Sequence, residues 1–208
     1  MNKIMIAVIS IVSSSFVVEF ERDISIFFEA PIRYDYEVTL INELKQNHSK
    51  DKMLKLLNSK NWIDSYVYKD NFLGKKRIFI KQLIPIFVWN DRFFIDSHQK
   101  KFIISNDEHD FPLVFCPEEK IQDLLIFLGD LDKTFKKFGI GIDRISFEYG
   151  GGWRIKLENH QIVRISEEID TNLYKKLTIL FDYMFENNLN PSIIDMRNRS
   201  GAALTYAK

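Results

Sequence analysis

The sequence has almost no cysteine and no excess of basic over acidic residues, so it lacks the usual marks of a disulfide framework or a nucleic-acid surface. Its 208 residues contain one cysteine, and 29 basic and 29 acidic residues give no formal net charge. A single cysteine excludes an internal disulfide, and a neutral chain has no overall attraction to nucleic acid. We therefore interpret Cys116 as a small buried hydrophobic residue and expect no nucleic-acid partner.

Histidines, glycines and serines show no spacing that is typical of a reactive site. The four histidines are scattered at 48, 98, 109 and 160, which does not fit a zinc site. The glycines at 150–152 lack the lysine of a phosphate-binding loop, so we interpret them as a bend between strands. No serine lies in a nucleophile elbow. The sequence therefore predicts a protein that is not an enzyme and that needs no metal or other cofactor.

One uncharged apolar segment is present, at residues 4–18. Lys3 precedes it and Glu19 follows it. The segment is short for a membrane helix, which needs about 17–25 residues. A membrane anchor, a cleaved signal peptide and a buried element are the three interpretations, and the charged flanks favour the first two. We assign residues 1–20 to a membrane anchor or signal segment.

Hydrophobic periodicity in the rest of the chain predicts an α+β fold with two domains. The first domain, 21–105, follows the order β-α-α-β-β and ends in a further strand pair. The second, 111–208, follows the order α-β-β-β-α-β-β and contains a mixed sheet. We place the boundary within 106–110. The predicted strands are 25–30, 63–69, 77–82, 87–89, 92–97, 101–105, 142–149, 153–157 and 161–165, followed by two C-terminal strands. The predicted helices are 36–46, a second one capped by Ser49, one after Pro117, and one over 173–184.

The C-terminal residues 193–207 are predicted to form two strands around a turn. Side chains alternate with a period of two on both sides of Ser200-Gly201, and glycine tolerates positive φ. The last strand is either an ordinary terminal strand in a closed core or an exposed edge. An exposed edge offers unpaired N–H and C=O groups to which another chain can add a strand.

Several short motifs occur in the order found in one bacterial family. Asp195-Met196-Arg197 followed by Ser200-Gly201-Ala202-Ala203 resembles the C-terminal end of the FtsQ/DivIB cell-division proteins. Trp62-Ile63, Pro85-Ile86 with Trp89, and Trp153 with Leu157 and Asn159 resemble earlier motifs of that family. The sequence departs from the family pattern at Gln82, where glutamate is usual, and at Cys116 and His160, where glycine is usual.

The resemblance implies a membrane anchor, a POTRA domain over 21–105 and an FtsQ-type β domain over 111–208. It implies a non-enzymatic division scaffold in the bacterial cytoplasmic membrane, with its bulk on the extracytoplasmic side. FtsB- and FtsL-like proteins would bind at the last strand, and other division proteins at the POTRA domain. A POTRA-bearing component of a secretion or outer-membrane assembly system is the alternative. The expected partner-binding residues are Arg197, Asn198, Ser200, Gly201, Ala202, Ala203, Leu204 and Tyr206.

Overall fold

The computed structural model describes residues 16–21, 24–47, 49–71, 75–104, 111–169, 172–198 and 200–206. The chain divides into two compact units. One comprises Met1–Ile84 with Phe102–His109, and the other Pro85–Lys101 with Asp110–Lys208. Parallel and antiparallel strand pairs occur in both sheets, so the predicted α+β class with mixed sheets is confirmed.

The first unit contains a sheet in the order β1-β2-β4-β3 and the helices α1 and α2, counted over the described residues. Strand β2 is parallel to β4, and β1 and β3 are antiparallel to their neighbours. From β2 onward the element order is the β-α-α-β-β order that the sequence predicts. The elements are β1 (Phe16–Glu21), β2 (Ile24–Phe28), α1 (Asp35–Gln46), α2 (Lys50–Ser59), β3 (Ile63–Asp70) and β4 (Lys76–Gln82).

One face of this sheet is apolar because alternate residues of its strands point toward the helices. Ile24, Ile26 and Phe28 are buried on β2, and Ile78 and Ile80 on β4. The period-2 burial is that of a sheet with one covered face. The helices contribute buried residues at helical spacing: Leu40, Ile41, Leu44, Met53 and Leu57.

A buried polar cluster fixes the start of α1. The carboxylate of Glu37 accepts hydrogen bonds from the backbone N–H groups of Arg33 at 2.7 Å and Tyr34 at 3.0 Å. The side-chain amide of Gln82 donates to the same carboxylate at 3.3 Å and to the carbonyl of Ala30 at 3.0 Å. Glutamine at position 82 therefore supplies an N–H donor that glutamate, the usual family residue, lacks.

One prediction for the first unit needs correction, and another is confirmed. Phe16–Val18, the end of the predicted membrane segment, lies in β1, because aromatic and β-branched residues favour strands. The remaining residues of that segment, 4–15, lie outside the described residues. Ser49 is the N-cap residue of α2 as predicted, but its hydroxyl makes no capping hydrogen bond. No helix in the described ranges is long and apolar enough to cross a bilayer.

In the described residues, nine strands form the second sheet in the order β13-β12-β11-β10-β9-β8-β5-β6-β7. The strands β5 and β8, β8 and β9, and β11 and β12 pair in parallel, and the hairpin strands β9, β10 and β11 are antiparallel. The elements are β5 (Phe87–Trp89), β6 (Phe93–Ile95), β7 (Lys101–Phe102), β8 (Leu113–Phe115), α3 (Ile121–Lys137), β9 (Ile142–Glu148), β10 (Gly152–Leu157), β11 (Ile162–Ile165), α4 (Leu173–Glu186), β12 (Ile193–Asp195) and β13 (Ala203–Thr205).

Helices α3 and α4 pack their apolar stripes on one core with this sheet. Trp153, Ile155 and Leu157 of β10 share one face of the strand and are buried. The ring of Trp153 contacts that of Phe127 of α3 edge-on, with 5.3 Å between the ring centroids. The ring of Phe135 of α3 contacts that of Phe181 of α4, with 5.2 Å between the ring centroids. The core therefore joins α3, α4 and the sheet into one hydrophobic layer.

Several strands are shorter than predicted, and one segment is grouped differently. The strands predicted over 92–97, 101–105 and 193–198 are shorter, ending at Ile95, Phe102 and Asp195. The segment Pro85–Lys101 groups with the second unit, whereas the sequence placed it in the first domain. The predicted boundary within 106–110 lies outside the described residues and stays a prediction.

Candidate functional site

Strand β12 lies between β11 and β13, and its backbone groups alternate between these neighbours. The N–H of Ile162 donates to the C=O of Ser192 at 3.0 Å, and the N–H of Met196 donates to the C=O of Arg164 at 2.8 Å. Backbone groups of successive strand residues point to opposite sides. The even-numbered residues of β12 therefore face β11, and its odd-numbered residues face β13.

This alternation determines which backbone groups of β13 are unpaired with β12. Ile193 is the register partner of Thr205, and Asp195 that of Ala203. Because the odd-numbered residues of β12 face β13, Ala203 and Thr205 face back toward β12. The N–H and C=O of Leu204 then point away from it. Strand β13 ends the sheet order, and β12 is its one strand neighbour in the described part of the chain, so the backbone groups of Leu204 face an open edge.

The turn before β13 is closed by an asparagine side chain. The amide oxygen of Asn198 accepts hydrogen bonds from the N–H and hydroxyl of Ser200, at 2.9 and 2.7 Å. Gly201 does not have the positive φ that we expected to shape this turn. That expectation was wrong, and the hydrogen bonds between Asn198 and Ser200 stabilise this part of the chain instead.

Asp195 and Arg197 form an ion pair beside the turn. The Nε of Arg197 donates to both carboxylate oxygens, at 2.9 and 3.1 Å, and Nη2 donates to Oδ2 at 2.6 Å. Hydrogen bonding to Arg197 lowers the pKa of the Asp195 carboxyl below its ordinary value. The resemblance implied that Arg197 binds a partner; within the chain its guanidinium pairs with Asp195. The guanidinium retains an Nη1 that these bonds do not use.

The side chains predicted to bind a partner are brought together at this edge, and most are exposed. Tyr206 is 50% exposed, and the other exposed members of the predicted set are Arg197, Asn198, Ser200, Gly201, Ala202 and Ala203. Leu204 is half-buried and packs against the core of the second unit. A Cβ added to Gly201 would have no neighbour within 4 Å, so the space beside this residue is open. The edge therefore presents backbone groups, one aromatic ring and a bare glycine.

A groove of 390 Å³ runs between α4 and the turn. Ile179 and Tyr183 of α4, 59% and 55% exposed, form part of one wall, and Met196 lies on the strand side. The sequence predicted a helix over 173–184, but neither of these two residues was expected to belong to a site. Their spacing of four, on the polar side of the helix, was the available signal. The lining residues are Ile165, Ser166, Ile169, Leu173, Lys176, Ile179, Leu180, Tyr183, Met196, Arg197, Asn198, Ser200, Gly201 and Ala202.

Cys116 and His160 are two positions of the second unit that depart from the family pattern. Burial raises the pKa of the Cys116 thiol to about 11, so the thiol is neutral at physiological pH. Trp89 Nε1 donates to the Cys116 carbonyl at 2.9 Å, which fixes the backbone there. His160 adopts a φ of 69°, the region that favours glycine, the usual family residue. The described residues contain no cluster of three or more metal-ligating side chains.

Comparison with known proteins gives one family. Residues 87–197, more than half of the chain, match the model "Cell division protein FtsQ/DivIB, C-terminal". The chain is 22% identical over 147 residues to Cell division protein FtsQ from Neisseria meningitidis serogroup B and from Neisseria gonorrhoeae. It is 22% identical over 150 residues to that from Actinobacillus pleuropneumoniae serotype 3. These matches cover 70% of this chain and 63%, 61% and 66% of the relatives, so the chain spans less than two thirds of their length.

Proposed function

Because the chain belongs to the FtsQ/DivIB family, we propose that it is a non-enzymatic cell-division scaffold that binds FtsB- and FtsL-like proteins by accepting a strand at β13. The open edge of β13, with the backbone N–H and C=O of Leu204 directed outward, is the observation that supports this role. Main-chain hydrogen bonds give such a complex much of its affinity, and flanking side chains give specificity.

The predicted site residues take separate roles in this proposal. Leu204 supplies the outward backbone groups, and Tyr206 supplies an exposed aromatic anchor. Arg197 pairs with a partner's carboxylate through the nitrogen that Asp195 leaves unused. Asn198, Ser200, Gly201, Ala202 and Ala203 form the turn and the start of β13, and their small exposed side chains let a second backbone approach.

The scaffold acts at the bacterial cytoplasmic membrane in this proposal. The family is one of cell-division proteins, and the resemblance described above implies a membrane anchor. The apolar residues preceding β1 would hold the chain at the membrane, with its bulk on the extracytoplasmic side. The first unit, as a POTRA domain, would contact other division proteins.

A proline scan of β13 tests strand addition directly. Leu204→Pro removes an N–H that faces the open edge, which an edge strand tolerates, but leaves the hydrogen bonds to β12 in place. We expect the chain to fold and its affinity for the extracytoplasmic segment of an FtsB-like protein from the same organism to fall by about tenfold or more. Binding is measured by isothermal titration.

Two matched variants separate the loss of the N–H from the loss of the side chain and from loss of the fold. Leu204→Ala removes the same side chain but keeps the N–H, so it should bind more tightly than Leu204→Pro. Ala203→Pro removes an N–H that faces β12, so it should lower the stability of the fold itself. Equal affinities of Leu204→Pro and Leu204→Ala would contradict strand addition at β13.

A further inference from the structure

The exposed side of α4 carries two large apolar residues that the core does not use. Ile179 and Tyr183 are more than half exposed and lie four residues apart, so they are neighbours on one face of the helix. Both line the groove whose other wall is the turn before β13. Single exposed apolar residues are ordinary, but a pair that lines an apolar groove beside an open strand edge marks an interaction surface.

The orientation of Leu204 places a partner's side chains in front of this surface. Leu204 is the register partner of Ile194, and both pack on the core that contains Leu177 and Phe181 of α4. They therefore lie on the sheet face that α4 covers. A strand added to β13 lies about 4.8 Å farther out, and its residue opposite Leu204 points to the same face. That side chain is directed toward the exposed side of α4.

We propose that α4 is the second half of the partner site and that its groove binds apolar side chains of the strand added to β13. This inference rests on the proposed function of β13. From Leu173 to Tyr183 the groove follows α4 for about 15 Å, which matches four to five strand residues. The partner strand therefore carries large aliphatic or aromatic residues at alternate positions, one of them opposite Leu204, with polar residues between them.

Substitution of the exposed α4 residues tests whether the groove binds the partner, without disturbing the core. The variant Ile179→Gln/Tyr183→Gln of the full chain keeps good helix-forming residues at sites that lie largely in water. The probe is the same FtsB-like extracytoplasmic segment, titrated by isothermal calorimetry. We expect its affinity to fall by about tenfold or more. The single change Ile179→Ala should also lower the affinity. It replaces the double variant as the test if the double variant is less stable than wild type.

Matched changes outside the groove provide the control. Ile126→Gln and Phe185→Gln remove side chains that are 74% and 72% exposed but do not line the groove, and we expect unchanged affinity. An equal loss in these controls would overturn the proposal, because the binding would then be non-specific.

The groove and the strand edge can be refuted separately. If Leu204→Pro lowers the affinity while both groove variants bind like wild type, the groove proposal is wrong and the proposed function stands. If Leu204→Pro binds like Leu204→Ala, strand addition itself is wrong, and the groove proposal is overturned with it.

Discussion

Replacement of Tyr206 by alanine measures the contribution of the aromatic anchor. A tyrosine side chain offers about 200 Å² of surface, and half of it is exposed here, so a partner would cover about 100 Å². At about 25 cal/mol per Å², this burial is worth about 2.5 kcal/mol. We therefore expect Tyr206→Ala to weaken binding of the FtsB-like segment by about 60-fold.

Two measurements separate the anchor from a residue that only packs on its own domain. Calorimetric titration gives the affinity, and thermal unfolding followed by circular dichroism gives the stability, which should change little because the ring is half in water. Tyr174→Ala is the control, since this tyrosine of α4 is 43% exposed and does not line the groove. A Tyr206→Ala chain that unfolds, or that binds with wild-type affinity, would refute the reasoning.

Three further changes test the environments of particular residues. Gln82→Glu brings a second carboxylate to within hydrogen-bond distance of Glu37, so the free energy of unfolding, measured with urea at pH 7, should fall by about 1–3 kcal/mol. This loss should shrink as the pH falls, because protonation of one carboxyl removes the repulsion between the two carboxylates. A loss of stability that is independent of pH would contradict this. Gly129→Ala should raise the stability by about 0.5–1 kcal/mol, because Gly129 is a helical residue with open space around it. The control Gly152→Ala should lower it, because a Cβ there would overlap the Ile165 carbonyl at a positive φ, and similar effects of the two changes would be inconsistent with the structure. Cys116, with a pKa raised to about 11, should react with a thiol reagent at pH 8 only after unfolding, and fast labelling of the folded chain would show that the thiol is accessible.

The family signature and most of the elements could be predicted from the sequence. The C-terminal motif, from Asp195 to Ala203, indicated the FtsQ/DivIB family, and the comparison of residues 87–197 confirms that family. Helices α1, α3 and α4 have strong 3.6-residue periodicity, and β10 has strict alternation, so their positions follow from local pattern. Local reasoning left two interpretations of the last strand open, a terminal strand in a closed core or an exposed edge, and in the structure β13 ends the sheet order.

Local pattern did not determine which strands pair with one another. The segment Pro85–Lys101 has the same alternation whichever sheet it joins, and its pairing with β8 depends on residues more than 20 positions away in the chain. The ion pair of Asp195 and Arg197 and the asparagine-closed turn depend on side-chain orientation, which sequence spacing does not give.

The candidate site shows the same division between sequence and tertiary structure. The sequence determined which residues stand at the last strand. Only the tertiary structure decided that the backbone groups of Leu204 face outward and that Ile179 and Tyr183 of α4 lie beside the turn. Hydrogen-bond direction in a strand is set by its neighbour, and a groove is formed by elements distant in sequence, so neither property is encoded in a local stretch of residues.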